Sequence, residues 1–73
     1  MNIKELLLTI MKAQGMTQTT LSEKAGYKSK SAITEILNRR GMKVEILMKL
    51  LSVMNCELVV KDKTTGEEYT ITE

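Results

Sequence analysis

Apolar residues recur at helical spacing from Ile3 to Met54 and then alternate to the end of the chain. Ile3, Leu6, Leu7, Ile10 and Met11 follow the i, i+3, i+4, i+7, i+8 stripe of a helix packed on a core. That stripe predicts a first helix from Asn2, a suitable N-cap, to Gln14, with Gly15 as its left-handed terminator. Leu8 falls off the stripe, either exposed or set against a partner chain. Thr17 can cap a second helix, and Met16 and Leu21 stand at the positions of a hydrophobic staple around it. Leu21 and Ala25 mark its buried face and Gly26 its end. A third helix begins near Ser29, an acceptable cap, and buries Ile33, Ile36 and Leu37. Projected as a helix, Ser31, Thr34, Glu35 and Asn38 point away from that stripe, with Lys30 at the flank of the first turn. Asn38-Arg39-Arg40-Gly41 reads as a loop. A fourth helix follows from about Lys43 to Met54, burying Val44, Leu47, Met48, Leu51 and Met54, with Asn55 as terminator.

After Asn55 two β-rich runs, Glu57 to Lys61 and Glu67 to Thr72, flank Asp62-Lys63-Thr64-Thr65-Gly66. The pattern predicts a hairpin with Gly66 at a positive-φ site, Leu58 and Val60 sharing a face, and Tyr69 and Ile71 sharing a face. An isolated hairpin is marginal in water, so this one must pack on the helices or on another copy of itself. The expected organisation is one compact domain, mainly α, with four helices over 1–55 and a C-terminal β-hairpin over 56–73.

With 73 residues there is room for one small core, and no disulfide pair or metal cluster to staple it. Association into a dimer is one source of the missing stability. No apolar run approaches the roughly 20 residues that span a bilayer, so no membrane partner is expected. The N-terminal stretch carries Lys4 and Glu5 and does not resemble a signal peptide. The single Cys56 excludes an internal disulfide and reads as a small, partly buried apolar side chain; the expected compartment is the cytoplasm. There is no His, and no base is evident to activate Cys56, so neither a catalytic triad nor a metal site can be drawn. Gly15, Gly26, Gly41 and Gly66 are scattered and form no phosphate-cradling loop. No enzyme activity and no cofactor are expected.

A formal net charge of +2 says little until its distribution is read. Lys28, Lys30, Arg39, Arg40 and Lys43 stand against Glu35 alone between residues 28 and 43, a net of +4. From Glu57 to Glu73 five acids face Lys61 and Lys63, a net of −3. The basic cluster sits beside the second of two short helices hinged at Gly26. Such a pair is how small proteins place a helix in the DNA major groove, and the cations supply the footprint for phosphate contact.

At Thr17-Gln18, Leu21, Ala25-Gly26, Ile33 and Ile36-Leu37 the chain resembles the lambda-repressor-like, Cro-type helix-turn-helix family, over roughly Ile3 to Met54. The resemblance implies that the third helix reads the major groove while the start of the second abuts the DNA backbone. It places Gln18 at the family's first-helix Gln, braced against phosphate, and Lys30, Ser31 and Glu35 at base-facing positions. It also places Asn38 and Arg39 where backbone is touched. One residue more than the common spacing separates Gly26 from Ile33, within Tyr27-Lys28-Ser29-Lys30, so the correspondence over Lys28 to Lys30 is open by one position. The resemblance to small phage-type repressors and antitoxins that dimerise through C-terminal strands implies a homodimer joined by the hairpin.

The candidate DNA-binding residues are thus Thr17, Gln18, Lys28, Ser29, Lys30, Ser31, Thr34, Glu35, Asn38, Arg39, Arg40 and Lys43. Lys30 and Ser31 would donate to base edges or phosphates; Glu35 would accept from cytosine N4 or stand by; Thr34 would meet a thymine methyl or face water. Lys28, Arg39, Arg40 and Lys43 suit phosphates, which set register without carrying sequence information. Leu58, Val59, Val60, Tyr69 and Ile71 are the candidate dimerisation residues. The expected function is a sequence-specific regulator of double-stranded DNA, a dimeric repressor on a palindromic operator. The alternatives are an antitoxin with a toxin partner, and a protein-interaction adaptor that has lost DNA binding.

Overall fold

Along residues 1–72, the part of the chain that the computed structural model describes, four helices precede an antiparallel hairpin. They are α1 (Ile3–Ala13), α2 (Gln18–Lys24), α3 (Ala32–Asn38), α4 (Val44–Val53), β1 (Leu58–Lys61) and β2 (Glu68–Ile71). Glu73, counted above in the acidic segment, lies outside the described residues. Among the described residues no helix is long and apolar enough to cross a membrane.

The helix ends are local chemistry. Asn2 Oδ1 accepts from Glu5 N at 2.8 Å and Thr17 Oγ1 accepts from Thr20 N at 3.1 Å, so both expected caps form. Three helices close with one pair of backbone bonds. Met16 N donates to Met11 O and Gly15 N to Lys12 O after α1; Tyr27 N to Ser22 O and Gly26 N to Glu23 O after α2. Cys56 N to Leu51 O and Asn55 N to Ser52 O repeat the pattern after α4. Each is a Schellman closure, which needs a left-handed residue at its hinge. Gly15, Gly26 and Asn55 supply it, with φ of 65°, 81° and 58°. Gln14 Nε2 adds a tertiary bond, donating to Met54 O at 2.8 Å and joining the ends of α1 and α4.

The core is Leu7 and Met11 of α1, Leu21 and Ala25 around α2, Ile33, Ile36 and Leu37 of α3, and Leu47, Leu50, Leu51 and Met54 around α4. Two expected faces are corrected. On α4, Val44 is 54 % exposed and Met48 only half-buried, while Leu50 is fully buried. Residues 47, 50, 51 and 54 make as good a helical stripe as 44, 47, 48, 51, and packing against α2 selects the former. On α1, Ile3 is exposed in the first turn, and Leu8 packs against the core edge instead of standing free.

Helix α3 is also corrected. It begins at Ala32, not near Ser29, because Ser29 Oγ accepts from Ser31 N at 3.2 Å and lies 2.9 Å from Ser31 Oγ. Serine bonds of this kind offer the backbone a turn in place of a helix. Lys30 and Ser31 therefore lie in the turn before α3, not in its first turn, and Asn38 is its last residue, not part of the loop. Helix α4 and both strands start one residue later than expected, within the ordinary scatter of such boundaries.

In the hairpin, Leu58 pairs with Ile71, Val59 with Thr70, Val60 with Tyr69 and Lys61 with Glu68. Leu58, Val60, Tyr69 and Ile71 consequently share one face. Only Leu58 of these packs against the core; Val60 and Tyr69 are 50 % and 53 % exposed. The connecting loop is held by Asp62, whose Oδ1 accepts from Thr64 N at 2.8 Å and Thr65 N at 3.4 Å. Those backbone bonds hold its carboxyl below the usual carboxylate range. Gly66 takes φ 80°, as its place in the loop predicted.

Candidate nucleic-acid interface

The arrangement of α2 and α3 rests on one buried hydroxyl. Ser22 is fully buried, and its Oγ accepts from Ile33 N at 3.2 Å, satisfying a backbone donor of the first turn of α3 that no helical carbonyl can reach. Leu21 and Ala25 meet Ile33, Ile36 and Leu37 around it. Ser22→Ala is expected to lower stability by about 1–3 kcal/mol, because it leaves a buried N–H unpaired. Urea unfolding checks this, and a loss no larger than that of an exposed-site variant such as Thr19→Ala would show that water replaces the hydroxyl. Sequence reasoning missed Ser22, a polar residue at the flank of the Leu21–Ala25 stripe, whose burial is decided by the approach of α3.

The turn between these helices is anchored from the far side. Gly26 turns the chain at positive φ, and Tyr27 follows half-buried against the core, with Lys49 Nζ 4.4 Å from the centre of its ring. Lys28, Ser29, Lys30 and Ser31 then pass along the surface, all exposed.

With Ile33, Ile36 and Leu37 inward, the outer face of α3 carries Thr34, Glu35 and Asn38, each exposed. Two hydrogen bonds tie this face to its neighbours. Thr34 Oγ1 donates to Gln18 Oε1, which brings the start of α2 beside the middle of α3. Lys4 Nζ donates to Asn38 Oδ1 at 3.3 Å, which brings the first turn of α1 beside the end of α3. Arg39 and Arg40 leave α3 exposed and share a cleft with Lys4, Ile3 and Met42. Lys43 is the exposed N-cap of α4.

The hydrogen bonds join Gln18 to Thr34 and Ser29 to Ser31. Thr17 stands at the N-cap of α2 beside Gln18. Among the described residues, no side-chain hydrogen bond draws Lys28, Lys30, Glu35, Asn38, Arg39, Arg40 or Lys43 to the other candidates; their association is one of surface position. Lys4 was not foreseen. Its partner lies 34 positions away, and a cation in a first turn carries no signal of such a contact.

Chemically the surface offers hydroxyl, amide and carboxylate groups along a helix of seven residues, about 10 Å long. Cations follow immediately after it and lie in the turn before it. Polar groups that can reach base edges, flanked by charges that can reach phosphates, are what groove recognition requires.

Comparison with known proteins agrees with this geometry. A helix-turn-helix family model matches residues 7–60, which takes in most of α1, the α2–α3 pair, α4 and β1. No curated protein and no solved structure matches the chain. The buried Ser22 junction, the outward face of α3 and the family match together place this chain in the helix-turn-helix family, in its lambda-repressor-like form, as a DNA-binding regulator of that type.

Proposed function

We propose that the protein is a sequence-specific repressor that acts as a homodimer, each copy inserting α3 into the major groove at one half of a palindromic operator. The observation that carries this is the Gln18–Thr34 bond, which sets the start of α2 and the outer face of α3 on one exposed surface with the cations beside it. Thr34 and Glu35 face the bases from α3, with Lys30 and Ser31 reaching them from the turn. Thr17, Gln18, Lys28, Ser29, Asn38, Arg39, Arg40 and Lys43 hold the phosphates.

So short a helix reads only a few base pairs, and a two-fold pair of helices about 34 Å apart supplies a longer site. The hairpin, from Cys56 onward, is the dimerisation element of what is otherwise one domain. Val59, Val60, Tyr69 and Ile71, exposed in the single chain, support that assignment, with Leu58 bridging hairpin and core. A dimer seated in the groove of its operator represses by occluding polymerase, and its place of action is the cytoplasm.

The test is selection from a random duplex pool at moderate salt with sequencing of the bound fraction. The expected result is a palindrome with half-sites about one helical turn apart. Binding without enrichment would overturn the reading. Val60→Asp and Tyr69→Asp are each expected to weaken dimerisation and operator binding together, as read by sedimentation and gel shift. Unchanged mass and affinity in both would remove the hairpin from the interface.

A second reading, an antitoxin that also binds a toxin protein, draws on the same apolar hairpin face, which a protein partner could cover in place of a second copy. Co-purification of a stoichiometric companion from the native source would favour it.

A further inference from the structure

The hairpin has two open edges, and its residue pattern distinguishes them. Asp62 N donates to Glu67 O at 2.8 Å, and the register carries that ladder through Val60–Tyr69 to Leu58–Ile71. Peptide groups alternate in direction along an antiparallel strand. Leu58, Val60 and Asp62 therefore turn theirs toward β2, while Glu57, Val59 and Lys61 turn theirs toward the open edge. Two copies joined antiparallel along that edge must pair outward residues with outward ones. The two-fold axis then falls on a residue, never between two.

We propose that two copies of this chain join along β1, antiparallel, with the two-fold axis at Val59. The proposal rests on the dimer reading above and specifies its surface. In this register Glu57 faces Lys61 of the second copy, twice, and Leu58 faces Val60 of the second copy, twice. Facing opposite charges and facing β-branched or aliphatic pairs stabilise a sheet, and facing like charges destabilise it.

Neighbouring registers lose this match. An axis at Leu58 sets Val59 against Glu57, and one at Val60 sets Leu58 against Asp62 and Val59 against Lys61. Axes at Glu57 and Lys61 oppose like charges directly. The β2 edge has no cation between Glu67 and Thr72, so a two-fold pairing there sets no opposite charges facing each other across the joint.

The joined hairpins form a four-stranded sheet in the order β2, β1, β1, β2. Leu58, Val60, Tyr69 and Ile71 of both copies then lie on one continuous face, where each half-exposed Val60 is brought beside Leu58 of the second copy. A sheet of three or more strands with an apolar face has the independent stability that a lone hairpin lacks.

Sedimentation of the full chain over a wide concentration range tests this. Glu57→Lys and Lys61→Glu are each expected to weaken dimerisation by about ten-fold, since two attractive facing pairs become repulsive. The combined variant is expected to return to within about two-fold of the parent, a recovery that simple loss of folding cannot produce. As a second measurement, Val59→Cys in a Cys56→Ser background is expected to form a disulfide-linked dimer on mild oxidation. Facing residues bonded through their peptide groups lie about 5.5 Å apart between Cα atoms, within disulfide reach. Thr70→Cys in the same background is expected to stay monomeric under denaturing conditions.

A dimer that ignores both charge reversals and leaves Val59→Cys uncrosslinked would overturn the β1 register and leave the dimer reading standing. A parent chain that remains monomeric at every concentration would overturn both.

Discussion

Leu50→Ala is expected to lower stability by about 2–5 kcal/mol, the cost of emptying a fully buried leucine site. A chain of this length holds in total about 4–11 kcal/mol at ordinary stability per residue. The variant therefore loses a large part of what keeps it folded, and its melting temperature is expected to fall by at least about 10 °C. Leu50 of α4 belongs to the same core cluster as Leu21 and Ala25 around α2 and Ile33, Ile36 and Leu37 of α3, so the loss reaches the elements that set the α2–α3 surface. Val44→Ala, six positions earlier on the same helix, is the control. Its side chain is more than half exposed, and its truncation is expected to change stability by no more than about 0.5 kcal/mol. Thermal and urea unfolding of the two variants read the difference directly. A larger loss at Val44 than at Leu50 would mean that α4 buries the other face.

The second large effect is expected in DNA binding. Arg39→Ala and Arg40→Ala together remove two exposed cations that follow α3, and the proposed seating of α3 in the groove sets both beside phosphate. Each neutralised phosphate contributes about 0.9 to the slope of log affinity against log salt. The double variant is therefore expected to bind all duplex sequences more weakly. Over a four-fold rise in salt, it should also lose about ten-fold less affinity than the parent. Titration of operator and scrambled duplexes at several salt concentrations measures both quantities. An unchanged slope would mean that the arginines face solvent in the complex. A loss confined to the operator would mean that they read bases.

Lys4 marks where legibility in the sequence ended at the interface. The residues near α3 in the chain, from Thr17 to Lys43, carry a local pattern of cap, apolar stripe, hinge and charge. That pattern made them candidates without knowledge of the fold. Lys4 reaches the same surface only because α1 crosses to the end of α3, and nothing in its own neighbourhood records that crossing. The start of α3 failed for the opposite reason. Ser29 was a sound cap by type, but a second serine two residues on gave its hydroxyl a nearer donor. Competition between two acceptable local bonds is settled by geometry, not residue type.

What the chain determined by itself is what depends on neighbours within about one turn. Asn2 and Thr17 cap their helices because a side-chain oxygen three residues back meets a free N–H. Gly15, Gly26 and Asn55 end theirs because each can take a left-handed backbone, and Gly66 does the same in the hairpin loop. The tertiary structure alone decided which stripe of α4 is buried, that Leu8 packs and Ile3 does not, and that Ser22 is a joint between helices. A period of 3.6 residues admits several nearly equivalent faces on a helix rich in leucine. Only the surface presented by the other helices selects among them, because burial energy belongs to the pair of surfaces and not to either one.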